Sequence, residues 1–183
     1  MIKLSNIYTK LYIYVISKIL HNSGKITVKN VNFTTPFYIK CSRTGIINLS
    51  NNVRARHGLY LNVTDHGKLY IDNNCFFNRN CSIHCHNEIK IGENTIFGEN
   101  VQIYDHDHKF NTTTTGIQNG YVTAPIHIGK NCWIGANVTI LKGSIIGDNC
   151  LIAAGSIVKG IIPNNSLMYN KSESIIIPNY KNI

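Results

Sequence analysis

The chain has 183 residues, of which only 15% are charged, and its formal net charge at pH 7 is +9. This length suits one domain with at most a small appendage, and the positive charge fits either an anionic, phosphate-bearing cofactor or an evenly solvated basic surface. A nucleic-acid partner is disfavoured, because the sequence has no long Lys/Arg run and no aromatic RNA-binding motif.

Residues 4–20 carry apolar side chains at close to helical spacing, which predicts an amphipathic helix within an N-terminal segment 1–24. Lysines flank its Tyr-rich centre, and a helix of this kind could lie on a membrane surface. A helix at this place would also cover the open edge of the β-structure that follows, and we favour this second role. The apolar stretch 11–20 is too short to span a bilayer, and no signal peptide follows Met1.

A six-residue repeat dominates the second half of the chain. Aliphatic residues return at every sixth position, namely Ile128, Ile134, Ile140, Ile146, Ile152 and Val158. A period of six does not fit a helix of 3.6 residues per turn, but it fits one short strand and one corner, and three such units close a triangular coil. The repeat therefore predicts an all-β solenoid, a parallel β-helix. Less regular strand patterns between residues 25 and 69 predict earlier coils of the same kind, and the abundant Asn residues suit corners with left-handed backbone angles.

The cysteines follow the register of the repeat. Cys75, Cys81, Cys132 and Cys150 all fall at its small-residue position, which predicts buried small side chains rather than disulfides. A reducing compartment, the cytoplasm, is the setting that fits them.

The repeat is interrupted from about residue 105 to 125, in the segment DHDHKFNTTTTGIQNGYVTAP. This segment is too polar for the interior, which predicts a loop that protrudes from the coils, and such loops commonly carry function. We predict a β-helix domain over residues 25–163, followed by a tail, 164–183, that adds a final strand or short helix over the last coil.

The hexads, the His-bearing loop before them and the segment WIGANV together resemble the hexapeptide-repeat acyltransferases. Within this family the likeness is closest to sugar O-acetyltransferases of the galactoside, maltose and Nod-factor types and to polysaccharide O-acetyltransferases. It covers about residues 69–163. The resemblance implies a left-handed parallel β-helix, acetyl-CoA as the acyl donor, and a homotrimer with active sites between neighbouring subunits.

The resemblance also suggests the catalytic residues. The catalytic His of the family ends a V-x-I/L-x-x-x-x-H segment, which places His108 of VQIYDHDH in that role, with His106 as the alternative. Histidine suits a general base because its pKa lies near neutrality. Asp105 or Asp107 would orient the imidazole.

The acceptor side is predicted from the same family. An Asn thirty residues before the catalytic His helps to hold the sugar, and Asn78 stands at that distance from His108. Asn is also common at β-helix corners for backbone reasons alone. We add His86 and Tyr104 as acceptor-binding candidates at the rim of the loop.

Four residues are predicted to contact the cofactor by the same resemblance. Trp133 would form a wall for the pantetheine arm or shield the trimer seam, Ala136 and Ala154 would present backbone N–H groups, and Lys159 would lie near the nucleotide. The G-x-P pattern that the family carries near its C-terminus has no counterpart in MYNKSES.

A metal site is the main rival chemistry. The run from Asp105 to His108 and the group Cys81, His84, Cys85 and His86 contain ligand residue types. In an extended strand, however, neighbouring side chains point to opposite faces, so the four residues of the run would not converge on one ion. No metal is expected.

These observations predict a cytoplasmic, acetyl-CoA-dependent O-acetyltransferase that acts on a saccharide, in surface-polysaccharide assembly. One alternative is an enzyme of the same fold that transfers an acyl group to the nitrogen of an amino-sugar or to an antibiotic. The other is a β-helix without enzymatic activity, against which the interrupted repeat argues.

Overall fold

The computed structural model of the protein describes residues 11, 25–111 and 116–171. Within these residues the chain is almost entirely β-structure. Its strands, in chain order, are β1 (Lys25–Phe33), β2 (Tyr38–Cys41), β3 (Ile46–Ala55), β4 (Tyr60–Val63), β5 (Lys68–Ile71), β6 (Phe76–Phe77), β7 (Ser82–Cys85), β8 (Glu88–Ile91), β9 (Ile96–Phe97), β10 (Gln102–Tyr104), β11 (His106–Asn111), β12 (Gly116–Thr123), β13 (Ile126–Ile128), β14 (Trp133–Ile134), β15 (Thr139–Leu141), β16 (Ile145–Ile146), β17 (Leu151–Ile152), β18 (Ile157–Val158), β19 (Ile161–Ile162) and β20 (Leu167–Met168).

The strands stack into three parallel faces, which confirms the predicted parallel β-helix. Face A contains the first part of β3 with β5, β8, β13, β16 and β19, and face C contains the end of β3 with β6, β9, β14, β17 and β20. Face B contains β2, β4, β7, β10, β15 and β18. The irregular segment 25–69 forms the first coils, as predicted, and β20 carries the regular coils beyond the predicted domain boundary at residue 163.

The interior is built by the repeat. The six aliphatic residues of the hexads are at most 3% exposed, and the small-residue positions between them are buried as well. All six cysteines are buried and free, as predicted for four of them, and burial raises the pKa of Cys75 to about 12 and that of Cys81 to about 11. Four of the thiols, those of Cys75, Cys81, Cys132 and Cys150, contact a backbone carbonyl of the next coil; the Sγ of Cys132, for example, lies 3.1 Å from the carbonyl oxygen of Gly147.

Asparagines form a ladder along the corner between faces A and C. Each has a positive φ near 60°, a region that Asn tolerates better than most residues. In five of the six, the amide nitrogen donates to the amide oxygen of the Asn in the next coil at 2.9–3.1 Å, and the last, Asn165, accepts the fifth of these bonds. The members are Asn52, Asn74, Asn94, Asn131, Asn149 and Asn165.

The interruption of the repeat is a β-hairpin rather than an irregular loop. Strands β11 and β12 pair antiparallel and leave the coils at the corner between faces B and A, between β10 and β13. We call this corner the hairpin corner. The protruding element is confirmed, whereas the predicted N-terminal helix, apart from Leu11, and the tail from residue 172 lie outside the described residues. No helix in the described part of the chain is long and apolar enough to cross a membrane.

Candidate active site

A buried carboxylate lies at the base of the hairpin. Asp105 follows β10 directly and has no solvent-exposed side-chain surface. The backbone N–H of His86 donates to Oδ1 at 2.8 Å and that of Asn87 to Oδ2 at 2.7 Å, while Nδ1 of His106 lies 3.3 Å from Oδ1. Because an Nδ1–H that donates to the carboxylate leaves Nε2 unprotonated, the pair has the arrangement of an oriented general base.

Aromatic and imidazole rings cluster over this carboxylate. His86 stacks on His106 with 3.6 Å between ring centroids, and Tyr121 packs edge-on against both at 4.2 and 5.1 Å. His108 lies farther out on the hairpin, solvent-exposed, with its ring 4.9 Å from that of Tyr121. His106, by contrast, is only 12% exposed at its side chain.

The alternation of the hairpin strand explains this grouping. Side chains two apart on a strand share a face, so His106 and His108 both reach Tyr121, while Asp107 points away and forms an ion pair with Lys142. The register pairs His108 with Tyr121 and His106 with Thr123. The two candidate bases are thus on one surface, with Asp105 beneath one of them.

The electrostatics of the cluster keep its inner histidines neutral. Burial, and secondarily the neighbouring His106, lowers the pKa of His86 to about 4 although Asp105 acts in the opposite direction. The same two causes lower the pKa of His84. At neutral pH both imidazoles are therefore uncharged hydrogen-bonding groups.

Two of the three predicted acceptor-binding residues belong to this cluster. His86 is at its centre, and Tyr104 lies beside it, with its ring 6.2 Å from that of His106 and its hydroxyl donating to Gln102 at 3.0 Å. Asn78 is elsewhere. It stands at the corner between faces C and B, where its Oδ1 accepts the N–H of Arg79 at 3.0 Å.

Three of the four predicted cofactor residues are also separated from the histidines within one chain, and the fourth, Lys159, is on the same corner as they are. Trp133 is on face C with its side chain 55% exposed, and Ala136 and Ala154 occupy successive coils at the corner between faces C and B. Among the described residues, no acceptor is within hydrogen-bonding distance of the N–H of Ala136 or of Ala154. Lys159 is exposed on the hairpin corner, following β18.

Face B lies between the two sets of candidates. Its strands β10 and β15 have three residues each, which corresponds to roughly 10 Å of extended chain before the corners are added. The structure therefore brings together Asp105, His106, His108, His86 and Tyr104, and it leaves Asn78, Ala136 and Ala154 on the opposite corner.

Tyr121 was not predicted from the sequence, although it contacts three imidazoles. Lys142, the partner of Asp107, was also missed. A sequence signal for Tyr121 does exist. The alternating run from Asp105 to Phe110 indicates a strand, and pairing it with a second strand of the same segment in a hairpin would have placed Tyr121 opposite the histidines. For metal binding, no group of three or more His, Cys, Asp or Glu side chains is suitably placed in residues 25–111 and 116–171.

Comparisons with known sequences agree with the repeat. The family model for the bacterial transferase hexapeptide (six repeats) matches residues 125–160. The chain is 28% identical over 166 residues, 81% of its own length and 85% of the relative's, to WbbJ of Escherichia coli (strain K12), named as a lipopolysaccharide biosynthesis O-acetyl transferase. It is 40% identical over 70 residues to nodulation protein L of Rhizobium leguminosarum bv. viciae, of which it spans 35%.

Solved structures share the fold. An N-acyltransferase from Bacillus cereus, AntD, in complex with dTDP and 3-hydroxybutyryl-CoA, matches with a TM-score of 0.67 at 19% identity, over 86% of this chain and 80% of that one. A hexapeptide-repeat acetyltransferase from Vibrio cholerae, complexed with acetyl coenzyme A, matches with a TM-score of 0.54 at 22% identity, over 86% and 71%. Repeat, fold and relatives together confirm that this chain resembles the hexapeptide-repeat acyltransferases.

Proposed function

We propose that this protein transfers an acetyl group from acetyl-CoA to a hydroxyl group of a saccharide. The observation that carries the proposal is the buried Asp105 in contact with His106, which shares one face of the interrupting hairpin with His108. The relatives support the same reaction class: WbbJ is named as an O-acetyl transferase, and the structural neighbour from Vibrio cholerae is described with acetyl coenzyme A.

The reaction requires a base and an oxyanion donor. As the acceptor hydroxyl oxygen attacks the thioester carbonyl carbon, a histidine takes the hydroxyl proton, and the same proton then passes to the departing thiolate when the carbon–sulfur bond breaks. A backbone N–H without an internal acceptor, such as that of Ala136, is suited to the negative charge that develops on the carbonyl oxygen.

His108 is our first candidate for the base. Its exposed ring is open to an acceptor and a cofactor, whereas His106 is nearly enclosed by His86 and Tyr121. His106 is the alternative, because it alone of the two contacts Asp105. Either imidazole lies on the hairpin surface that faces away from Asp107.

A complete site would require a second copy of the chain. The histidines lie at one edge of face B, and Ala136 and Ala154 lie at the other, so the hairpin corner of one subunit would have to meet the corner bearing these alanines on its neighbour. We therefore propose a homotrimer with its sites between subunits. The exposed apolar column of face C supports an assembly of this kind, and its members include Ile96, Trp133, Leu151 and Leu167.

The setting we propose is the cytoplasm, where six buried free thiols fit the reducing conditions. The name of WbbJ supports a role in the synthesis of a surface polysaccharide.

The test compares two variants, His108→Ala and His106→Ala, in an acetyl-transfer assay with a panel of sugars. We expect His108→Ala to lower kcat/KM by about 10²–10⁴-fold, the usual contribution of a general base, while the assembled state is unchanged. Full activity of His108→Ala would transfer the role to His106. A product that resists mild base would indicate transfer to nitrogen instead of oxygen.

A further inference from the structure

A groove runs along the hairpin corner from the active-site cluster towards the N-terminal coils. It has a volume of about 480 Å³ and is lined by Ser42, Thr64, Asp65, His86, Tyr121 and Thr123. Tyr121 and Thr123 come from strand β12 of the hairpin, while the other four residues lie at the corners of three successive coils. This volume is within the usual range of about 300–1,000 Å³ for small-molecule sites.

All six lining residues carry a hydrogen-bonding side chain, on a surface that also includes apolar atoms. They bear three aliphatic hydroxyls, a phenol, an imidazole and a carboxylate, and none of the six is Lys or Arg. Such a surface suits a ligand that is rich in hydroxyl groups and has no negative charge.

Asp65 is held in place with one oxygen left available. The hydroxyl of Thr44 donates to Oδ1 at 3.2 Å and the N–H of Thr44 donates to the same oxygen at 3.4 Å. Within the described part of the chain, no donor is within hydrogen-bonding distance of Oδ2. A carboxylate oriented in this way can accept a charge-assisted hydrogen bond from a ligand hydroxyl without first changing its conformation.

His86 connects the groove to the active site. His86 lines the groove, and its imidazole ring stacks on that of His106 with 3.6 Å between ring centroids. Tyr121, which is 43% exposed, likewise contacts both His86 and His108. A ligand that fills the groove therefore ends against the proposed catalytic histidines.

We propose that this groove is an acceptor subsite, which binds an uncharged sugar unit of an oligosaccharide next to the unit that receives the acetyl group. This inference rests on the proposed function. The preferred acceptor is then an oligosaccharide rather than a free monosaccharide, and the sugar unit in the groove carries no carboxylate or phosphate, since Asp65 would repel it.

The kinetic test uses neutral mono-, di- and trisaccharides of glucose, galactose and N-acetylglucosamine with acetyl-CoA. We expect kcat/KM to be about tenfold higher for the best disaccharide than for its monosaccharide, which is the size of one charge-assisted hydrogen bond. Asp65→Asn should lose most of this gain and keep the monosaccharide rate. Ser42→Ala should reduce the gain in part. Asp72→Asn, which neutralises an exposed carboxylate on the corner between faces A and C, is the matched control and should behave like the native protein.

The outcomes separate the two proposals. Equal kcat/KM for mono- and disaccharides in the native protein, or an undiminished gain in Asp65→Asn, would overturn the subsite while the transferase function stands. If no sugar is acetylated, the proposed function fails. Titration calorimetry with the same trisaccharides then tests sugar binding in the groove independently of acetyl transfer. Binding that is lost in Asp65→Asn would support the subsite, and no binding at millimolar sugar would reject it.

The charge of the ligand provides an independent test. A disaccharide whose second unit is a uronic acid should bind at least tenfold more weakly than its neutral counterpart, and Asp65→Asn should narrow this difference. Tighter binding of the uronic acid to the native protein would contradict the inference.

Discussion

Replacing Asp105 with Asn should unfold the protein at a markedly lower temperature than the same change at Asp107. Asp105 is fully buried, and its two oxygens accept backbone N–H groups from His86 and Asn87 in addition to their contact with His106. In the variant one oxygen becomes an NH₂ donor. At the Oδ2 position it faces the N–H of Asn87, and at the Oδ1 position it faces Nδ1 of His106 and leaves the N–H of His86 only Oδ2, at 3.0 Å.

The magnitude follows from these contacts. Hydrogen bonds to a charged group contribute about 1.5–3 kcal/mol, and a buried donor left without an acceptor adds about 1–3 kcal/mol, so the loss is about 2.5–6 kcal/mol. In a chain of this size 1 kcal/mol corresponds to roughly 2–4 °C in Tm, which predicts a decrease of roughly 5–24 °C. Asp107 is 58% exposed, and within the described residues its ion pair is with Lys142, so Asp107→Asn should cost about 1 kcal/mol or less.

Circular dichroism during heating measures both variants. Protein concentration must be equal in all samples, because assembly makes Tm depend on concentration. A Tm of Asp105→Asn equal to that of Asp107→Asn would refute the reasoning, since it would mean that the carboxylate does not hold the hairpin base together.

Three further predictions concern the coils and the cluster. Gly135→Ala should lower the free energy of unfolding in urea by about 1–3 kcal/mol, because the new Cβ would lie 2.5 Å from the backbone nitrogen of Ala154. An unchanged free energy of unfolding would contradict this close packing of the coils. Asn94→Gly should be less destabilising than Asn94→Ala, which loses the same amide bonds and also strains a φ of 60°; the reverse order would count against the ladder. Finally, the folded-state pKa of His86 is about 4, below its ordinary 6.5, so the unfolded chain takes up a proton that the folded one does not, and stability should fall as pH falls from about 6.5 to 4. His86→Gln should flatten this slope, whereas exposed His57→Gln should leave it unchanged.

The fold could be predicted from the sequence because it is a local, repeated solution. Each hexad has the same alternation of buried and exposed side chains, and every coil repeats it. The burial of the aliphatic positions from Ile128 to Val158 and of four of the six cysteines could therefore be predicted without a structure. The position of the interruption could also be predicted, because the six-residue period is absent from residue 105 to 125 and regular on its C-terminal side.

The arrangement of the site could not be predicted in this way, because it depends on contacts between coils. The carboxylate of Asp105 reaches the backbone of His86 and Asn87, nineteen and eighteen residues earlier, because one coil stacks on the next. The antiparallel register that sets Tyr121 among the histidines depends on how the hairpin closes.

The sequence by itself determined the β-helix fold and the position of the segment that interrupts it, since the six-residue period indicates the first and the break in that period indicates the second. Only the tertiary structure decided which histidine contacts the buried carboxylate, that Asn78 and Ala136 lie on a different corner from both histidines, and that a polar groove continues from His86 to Asp65. The physical reason is that neighbouring side chains on one corner of a β-helix come from successive coils. They are therefore separated by a whole coil in the sequence, and no local sequence pattern shows that they are in contact.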